Sequence, residues 1–390
     1  MPDVWEKGVE KMRKVSIVGA GMIRFGKFPE RSIEDMGSEA CLSALKHAGM
    51  KHKEVEAAFA GNIGHPPNVA QRILDVIGVS GVPAFNHENA CGAGSSAFRD
   101  AYVAIAAGVY DRVLVIGVEN MTSKMKGLIP VDDGANLMVD MGVVAPAIFA
   151  LMANRHMEDY GTTPEQLAQI SVKNHKHGAL NPFAQYQKVF TLDEILKSDM
   201  ISDPLTVLQC TPIADGAAAL VLTSEEVSGQ YTNKPVQVAA SVFLSGRGKT
   251  GVGTATMEGC IRASGEAYEI AGIGPEDLDV IELHDCFSAH ELMAVEDLGL
   301  CPKGEGGRMA VEGVTALGGK IPVNPSGGLL SKGHPIGATG VAQLVELVWQ
   351  LRGECDKRQV QSARVALAHN GGGVSAGIEP GAMSITVLTR

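Results

Sequence analysis

A cysteine within a stretch of small residues is the first feature of the sequence suited to chemistry. Cys91 lies in residues 89–97, Asn-Ala-Cys-Gly-Ala-Gly-Ser-Ser-Ala, between a strand-like stretch and a predicted helix. The dipole and the free N–H groups of a helix N-terminus stabilise a thiolate, which lowers the thiol pKa from about 8.5. The same N–H groups can bind a developing oxyanion. The pattern therefore predicts a nucleophilic cysteine, with an inert buried cysteine as the alternative.

Three later segments place histidines, a second cysteine and glycines at the ends of predicted strands. His284 and Cys286 lie in residues 282–287, Glu-Leu-His-Asp-Cys-Phe. His334 lies in residues 324–340, which contain five glycines, and a following proline restricts its backbone. His369 precedes Gly371 and two further glycines, which expose backbone N–H groups at the end of a strand. A hydrogen-bonded core histidine or a structural turn is the alternative for each segment.

Together these segments form a constellation suited to acyl transfer. A thiolate attacks, histidines move protons and glycine N–H groups hold an oxyanion. In open α/β sheets, such groups meet at the carboxyl ends of the strands. Two other motifs are incomplete. A dinucleotide turn at residues 19–24 has Arg24 in place of its third glycine, and His290 lacks the second histidine, four residues on, that a zinc-peptidase helix requires.

Composition excludes several classes of protein. The chain of 390 residues has 33 Lys and Arg against 44 Asp and Glu, a formal net charge of −11, and its basic stretches are short or interrupted. Nucleic-acid binding is therefore not expected, since it needs a basic surface. The 7 cysteines include no Cys-x-x-Cys pair, which suits a reducing cytosol and predicts neither a metal site nor a zinc ribbon. The longest apolar run, residues 141–153, is too short to span a membrane.

The elements that must position these residues alternate between strands and helices. Ser32 is the predicted N-cap of a helix that ends at Gly49, and residues 113–118 form a fully apolar strand. Residues 48–59 align with residues 271–282 at a constant offset, each reading as a helix end, a turn and a strand. This long-period repeat predicts an α/β protein of two related halves.

A polar, methionine-rich stretch separates the two halves and has weaker periodicity. We expect it to be an insertion that carries binding loops. The predicted division is residues 1–120 with 231–250 for the first half, 121–230 for the insertion and 251–390 for the second half. Candidates for an acyl pocket in the insertion, with core packing as the alternative, are Met121, Met125, Met138, Met141, Phe149 and Met152.

With these motifs and this two-half organisation, the sequence resembles the thiolase superfamily over essentially its whole length. Residues 89–97 resemble the thiolase nucleophile motif, and Gly333-His334-Pro335-Ile-Gly337 resembles the Gly-His-Pro-x-Gly box of that family. The resemblance implies a five-layered α-β-α-β-α fold of two similar halves with an inserted loop domain. It also implies self-association as a homodimer or larger oligomer, with the apolar strand 113–118 as a candidate support.

Two departures from ordinary thiolases indicate a particular branch. His284-Asp-Cys286-Phe287 stands where most thiolases have Asn-Glu-Ala-Phe, and His369-Asn-Gly371 replaces a Cys-x-Gly motif. Both resemble the sterol-carrier-protein-type and archaeal-type branch of 3-ketoacyl-CoA thiolases. Members of that branch often work with a separate small subunit that combines a zinc ribbon and an OB fold. Any such subunit here is expected to be another polypeptide.

The resemblance implies a role for each residue of the constellation. Cys91 takes the acyl group as a thioester, with His334 activating its thiol. Cys286 exchanges the α-proton, and His284 with His334 donates to the thioester oxygen. The N–H groups of Cys91 and Gly371 bind the oxyanion. His369 lines the pocket or tunes Cys286, and Phe287 binds substrate. Coenzyme A and acyl-CoA are expected as substrates, with no bound cofactor and no metal.

Three alternatives use the same fold. A thiolase-like lyase would cleave a β-hydroxyacyl-CoA by retro-aldol chemistry without a nucleophilic cysteine. A decarboxylating ketoacyl synthase would use one cysteine and two histidines, but the Gly-His-Pro-x-Gly box argues against it. A non-catalytic acyl-CoA-binding subunit would leave catalytic positions vacant, and none is vacant here. The sequence does not select among short, branched, aromatic, dicarboxylic or steroid acyl groups. A cytoplasmic location is the remaining expectation.

Overall fold

The computed structural model describes residues 12–124, 141–247, 255–376 and 379–390. The strands are β1 (Val15–Met22), β2 (Ala57–Gly61), β3 (Ala84–His87), β4 (Arg112–Asn120), β5 (Met200–Ser202), β6 (Leu205–Thr206), β7 (Asp215–Ser224), β8 (Val236–Leu244), β9 (Val280–Glu282), β10 (Val365–Ala376) and β11 (Glu379–Thr389). The helices are α1 (Ile33–Ala48), α2 (Val69–Val76), α3 (Ala93–Ala106), α4 (Ala145–Tyr160), α5 (Pro164–Gly178), α6 (Leu192–Leu196), α7 (Glu225–Ser228), α8 (Glu258–Ala271), α9 (Ser288–Asp297), α10 (Gly306–Val311), α11 (Gly328–Lys332) and α12 (Ile336–Arg352).

Nine of the strands form one mixed sheet in the order β3-β2-β4-β7-β1-β8-β11-β10-β9. The pairs β3/β2, β2/β4 and β10/β9 are parallel and the other pairs are antiparallel. Strands β1 and β8 pair only through Ser16 with Gln237 and Ile17 with Val236. The sheet therefore consists of a first half, β3-β2-β4-β7-β1, and a second half, β8-β11-β10-β9, joined at a short junction.

Helices cover both faces of each half-sheet and produce five layers. Successive side chains of a strand point to opposite faces of its sheet, so alternate residues of β4 pack against two different helical layers. Val113 and Val115 pack into a core that includes α3, α12 and residues of both half-sheets. Leu114 and Ile116 pack into a second core with α1 and α2. Helices α8 and α9 close the far side of the second half-sheet. The predicted α-β-α-β-α arrangement is confirmed.

The predicted repeat is also present in the structure. Helix α1 begins after Ser32, whose side chain accepts a hydrogen bond from the Asp35 N–H at 3.1 Å, as predicted for its N-cap. It ends at Gly49, and α8 ends at Gly272, with φ angles of 66° and 69°. Glycine adopts this left-handed backbone without steric cost. A short 3₁₀ turn and then β2 or β9 follow each glycine.

The sequence predicts that residues 121–230 form an insertion between the halves. In the described part, α4, α5, α6 and the β5/β6 hairpin lie there, and β7 pairs between β4 and β1 in the large sheet. The division into 1–120 with 231–250, 121–230 and 251–390 stays a prediction. Among the described helices, none combines the length and apolarity needed to cross a lipid bilayer.

Two local expectations are wrong. The strand that contains His369 does not end there, since β10 continues through the three glycines and pairs Gly371 with Met383 of β11. Partner hydrogen bonds can hold such residues in a strand despite their weak intrinsic preference. Strand β4 cannot supply a dimer contact, because it is buried between β2 and β7.

Candidate active site

Cys91 lies in a strained turn between β3 and α3. The preceding Ala90 has a φ angle of +47°, a conformation that is uncommon for residues other than glycine, and the Gly92 N–H donates to the Asn89 carbonyl at 2.9 Å. Gly372 of β10 packs directly against this turn, and a side chain at Gly372 would clash with the backbone of Gly92. The glycines of β10 therefore bring that strand close to the cysteine.

The electrostatic environment of Cys91 differs from the one expected at a helix N-terminus. Burial, with a smaller contribution from the carboxylate of Glu119, raises the pKa of its thiol to about 12. The N–H groups of Gly373 and of Cys91 itself lower the pKa, but by less. The expectation of a lowered pKa is therefore wrong, because loss of water outweighs the backbone N–H groups. A base must remove the proton when the sulfur attacks.

His334 is the base best placed for that step. One ring nitrogen of His334, one of His284 and the Cys91 sulfur all lie within 4.8 Å of one another. The Nδ1 atom of His334 is 2.6 Å from the Thr339 hydroxyl, which donates its only hydrogen to the Pro335 carbonyl at 3.1 Å. Nδ1 must therefore carry the hydrogen and donate it, which leaves Nε2 as an acceptor. Burial lowers the His334 pKa to about 3, so the ring is neutral.

His284 is held in the opposite tautomer. The amide nitrogen of Asn370 donates to His284 Nδ1 at 3.0 Å, and the amide oxygen accepts from the Ser95 hydroxyl at 3.2 Å. Nε2 of His284 therefore carries the hydrogen and is a donor. Burial, with His334, His290 and His369 nearby, lowers its pKa well below the ordinary value. The His284 and His334 rings meet edge to face at 5.0 Å, one as donor and one as acceptor.

Cys286 has a partner that the sequence analysis did not assign. Its sulfur lies 3.1 Å from Nδ1 of His290, four residues later in the first turn of α9. Burial raises the Cys286 pKa well above its ordinary value and lowers that of His290 well below its own, so both groups are neutral. Within the described residues, His290 Nε2 is buried without a hydrogen-bond partner. A four-residue spacing places two side chains on one face only within a helix, and Cys286 lies just before α9, so the spacing alone does not establish this contact.

His369 supports the site from β10. Its Nδ1 accepts from the His284 N–H at 3.3 Å, and its carbonyl accepts from the Gln343 amide at 3.0 Å. Its ring lies 5.7 Å from that of His290, edge to face, and burial lowers its pKa to about 4. His290, rather than His369, lies within hydrogen-bonding distance of Cys286. Gly371 follows in the same strand, one residue before the contact of β10 with the Cys91 turn.

Phe287 packs beside the cluster. Its ring stacks on Phe149 at 4.6 Å, and Phe149 also lies 5.1 Å from the His290 ring. Other candidates for an acyl pocket divide into buried Met121 and Met152 and exposed Met141, while Met125 and Met138 lie outside the described residues. Phe149 is therefore an insertion residue in ring contact with the cluster.

A buried polar network holds the His-Asp-Cys-Phe turn from below. Asp285 accepts from the N–H groups of Leu329 and Leu330 at 2.6 and 3.3 Å and from the Asn174 amide at 2.7 Å. The same amide donates to Glu291 at 2.7 Å, and Glu291 pairs with Lys173 at 2.5 Å. Burial and the neighbouring Glu291 raise the Asp285 pKa well above its ordinary value. Lys173 therefore supplies the positive charge of this network.

Removing that charge is expected to destabilise the protein. Lys173→Met should lower the free energy of unfolding by about 3–5 kcal/mol, because it leaves Glu291 buried without its ion-pair partner. Denaturant unfolding measures the change. Lys176→Met, at an exposed position of the same helix, is the control and should change the free energy by less than about 0.5 kcal/mol. Equal losses in the two variants would contradict this account.

Models of a known protein family match most of this chain. A family model described as "Thiolase, N-terminal domain" matches residues 15–226, and one described as "Thiolase C-terminal domain-like" matches residues 250–378. The chain belongs to the thiolase family. As a thiolase, it is an acyltransferase.

Individual relatives are similar to this chain over most of its length. The thiolase is 41% identical over 376 residues to an acetyl-CoA acetyltransferase of Methanothermobacter thermautotrophicus, covering 93% of this chain and 97% of that protein. It is 43% identical over 381 residues to sterol carrier protein 2 of Bos taurus, covering 92% of this chain and 70% of that protein. A solved structure named Ltp2-ChsH2(DUF35) aldolase has a TM-score of 0.84 at 26% identity and covers 97% of this chain and 98% of its own.

Proposed function

We propose that this thiolase cleaves a 3-oxoacyl-CoA with coenzyme A, or runs the reverse Claisen condensation, through an acyl thioester on Cys91. The observation that carries the proposal is the convergence of the Cys91 sulfur with ring nitrogens of His284 and His334 within 4.8 Å. The two histidines have opposite tautomers, so one accepts a proton where the other donates a hydrogen bond. Nucleophilic acyl transfer needs both functions next to the nucleophile.

In the first half-reaction, Cys91 attacks the 3-keto carbon of the substrate. His334 Nε2 takes the thiol proton as the sulfur–carbon bond forms, which removes the energetic cost of a buried free thiolate. The N–H groups of Cys91 and Gly371 are the proposed donors to the tetrahedral oxyanion. When the C2–C3 bond breaks, the electron pair passes to the acetyl-CoA enolate, and the acyl group stays on Cys91.

Cys286 is the proposed acid and base for the enolate carbon. It gives its proton to C2 in the thiolytic direction and removes the α-proton in the condensing direction. His290 Nδ1, at 3.1 Å, is positioned to accept the proton from Cys286 and to return it. His284 Nε2–H, together with protonated His334, donates to the thioester oxygen while enolate charge develops there. Attack of coenzyme A on the acyl-Cys91 thioester then completes a ping-pong cycle.

The supporting residues take narrower roles. His369 aligns the His284 backbone and shapes the pocket, and Phe287 with Phe149 forms an apolar wall for the substrate. We retain the predictions that the substrates are acyl-CoA and coenzyme A, that the reaction uses no resident metal or other cofactor, and that the protein is cytoplasmic.

Partners are proposed on separate grounds. A solved relative is named as a pair, Ltp2 with ChsH2(DUF35), which supports a separate small subunit for this thiolase as well. Self-association as a homodimer or larger oligomer is the second proposal. Strand β3 lies at an edge of the sheet next to β2, and its Phe85 is exposed. This edge strand is the proposed contact between copies.

Intact-protein mass after mixing with acetoacetyl-CoA, followed by peptide mapping, tests the function. We expect one acetyl group on Cys91 that free coenzyme A removes. A folded protein that binds acyl-CoA but forms no adduct with any acyl chain length would contradict the acyl-enzyme. Aldehyde or ketone release from a β-hydroxyacyl-CoA would then favour the retro-aldol lyase, and no turnover with any acyl-CoA would favour the binding subunit.

The tautomer of His334 gives a second, independent test. Thr339→Val removes the hydroxyl that orients the ring and should lower the rate of Cys91 acylation by up to about 10²-fold, because a small misplacement of a catalytic group has an effect of that size. Thr339→Ser keeps the hydroxyl and should retain most of the rate. Stopped-flow measurement of acylation compares them. Similar rates in both variants would show that Thr339 does not position His334.

A further inference from the structure

The Cys/His cluster of the site also has the composition of a metal-binding site. Among the described residues, two groups place one donor atom from each of three residues within 4.8 Å of one another. The first group is Cys91, His284 and His334, and the second is His284, Cys286 and His290. His284 is shared, so the cluster can hold an ion in one group at a time.

The second group is the better built of the two. All three of its residues are buried, whereas Cys91 is half-buried. The 3.1 Å between the Cys286 sulfur and His290 Nδ1 is close to the roughly 3.5 Å that separates a sulfur and a nitrogen ligand on one tetrahedral zinc ion. Cys286 immediately precedes the Phe287 N-cap of α9, and His290 lies in the first turn, so the backbone holds both donors in place.

Hydrogen bonds around the group permit metal ligation after one side-chain amide is reversed. Metal-bound histidines usually donate their second ring N–H to an oxygen, which fixes the tautomer. For His284, reversal of the Asn370 amide would present its oxygen to Nδ1–H, while the amide nitrogen donates to Ser95. Nε2 of His284 would then offer its lone pair to the ion. His290 needs no such change, since its Nε2 has no partner among the described residues and can keep the hydrogen.

The donor types select the ion. One thiolate and two imidazoles, without a carboxylate in the group, suit zinc and disfavour magnesium and calcium, which prefer oxygen ligands. Three protein ligands leave a fourth tetrahedral position for a water or a second thiolate. The Cys91 sulfur is a candidate for that position, since it also lies within 4.8 Å of a His284 ring nitrogen.

We propose that His284, Cys286 and His290 form a zinc site that reversibly inhibits the enzyme. Bound zinc occupies the Cys286 sulfur and the His284 nitrogen, so neither can serve the carbon–carbon bond-making step. The inhibition rests on the proposed function, whereas the binding of the ion does not. Zinc is here an inhibitor and not a resident cofactor of the reaction.

Cobalt(II) is the probe, because it replaces zinc in such sites and reports its ligands by absorption. Full-length protein titrated with Co²⁺ alone should bind one equivalent, with a near-ultraviolet thiolate-to-cobalt band and visible bands of tetrahedral cobalt. Cys286→Ser should lose the thiolate band. His290→Asn should weaken binding by more than the roughly 10–100-fold typical of an outer partner. Cys301→Ser, at a half-buried cysteine outside both groups, is the control and should bind normally.

Three results would overturn the proposal. One is wild-type protein without a tetrahedral thiolate spectrum at one equivalent of Co²⁺. Another is loss of the band in Cys91→Ser but not in Cys286→Ser, which would place the ion in the first group. The third is binding that persists unchanged in His290→Asn. Circular dichroism of each variant excludes misfolding as the cause.

Enzyme activity is measured as a test separate from the cobalt titration. Zinc should abolish the condensation of two acetyl-CoA molecules, which needs Cys286 and His284, and a chelator should restore it. If the metal-free protein shows no acyl transfer while the cobalt spectrum behaves as expected, then the proposed function fails and the metal site stands. If zinc fills the site without changing the rate of condensation, the inhibitory role is overturned.

Discussion

Replacing Cys91 with alanine is expected to reduce acyl transfer by about 10⁴-fold or more, since the covalent route loses its nucleophile. The His334 and His284 rings remain in the variant, but no sulfur is left for them to serve. Thiolysis of acetoacetyl-CoA and acetyl transfer to the protein should fall together. Both are measured on the same preparation, by absorbance and by intact mass.

The control for this variant is Cys41→Ala, because Cys41 is buried on α1 in the outer core of the first half. It should keep its activity and its alkylation by iodoacetamide at Cys91. Retention of cleavage activity in Cys91→Ala would contradict the acyl-enzyme. If that activity used a β-hydroxyacyl-CoA instead of a 3-oxoacyl-CoA, the retro-aldol hypothesis would replace the acyl-enzyme mechanism.

Replacing Cys286 with serine is expected to separate the two halves of the reaction. Acetyl transfer from acetyl-CoA to Cys91 should persist, because His334 and Cys91 are intact. Condensation of two acetyl-CoA molecules should fall by about 10²–10⁴-fold, the usual range for a lost general acid and base. Exchange of the acetyl-CoA α-protons in deuterated water, followed by mass spectrometry, measures the missing step directly.

His290→Asn extends this test to the partner of Cys286. Without the imidazole at 3.1 Å, α-proton exchange should slow by about 10–100-fold while acetylation of Cys91 is unchanged. A matched variant, His290→Gln, has a longer polar side chain than asparagine. Its rate of α-proton exchange should lie between those of the unchanged enzyme and His290→Asn. If both variants slowed acetylation and exchange equally, His290 would have a structural role only.

Much of the site was accessible from local sequence. The sequence predicts Cys91, His284, Cys286, His334 and His369 as site residues because each stands where a predicted strand ends or a glycine-rich loop begins. Such positions follow from backbone chemistry within a few residues, as at Gly333, whose φ angle is 104°. The repeat that ends α1 at Gly49 and α8 at Gly272 was readable for the same reason.

His290 shows where local reasoning stopped. In the sequence, His290 has no second histidine four residues on and so predicts no zinc-peptidase helix, and nothing local pairs it with Cys286. Four-residue spacing is the ordinary signal for two neighbours on a helix. Cys286, however, lies just outside α9, so only the structure shows that the two side chains meet.

The sequence by itself determined the family motifs, the two-half α/β architecture and the identity of the nucleophile candidate. Tertiary structure alone decided the protonation chemistry. The pKa of Cys91 rises instead of falling, because desolvation depends on everything packed around the sulfur, including glycines of β10 far along the chain. The tautomers of His334 and His284 depend on the atoms that contact each Nδ1, Thr339 in one case and Asn370 in the other. Those contacts exist only once both halves are folded around α3 and α12.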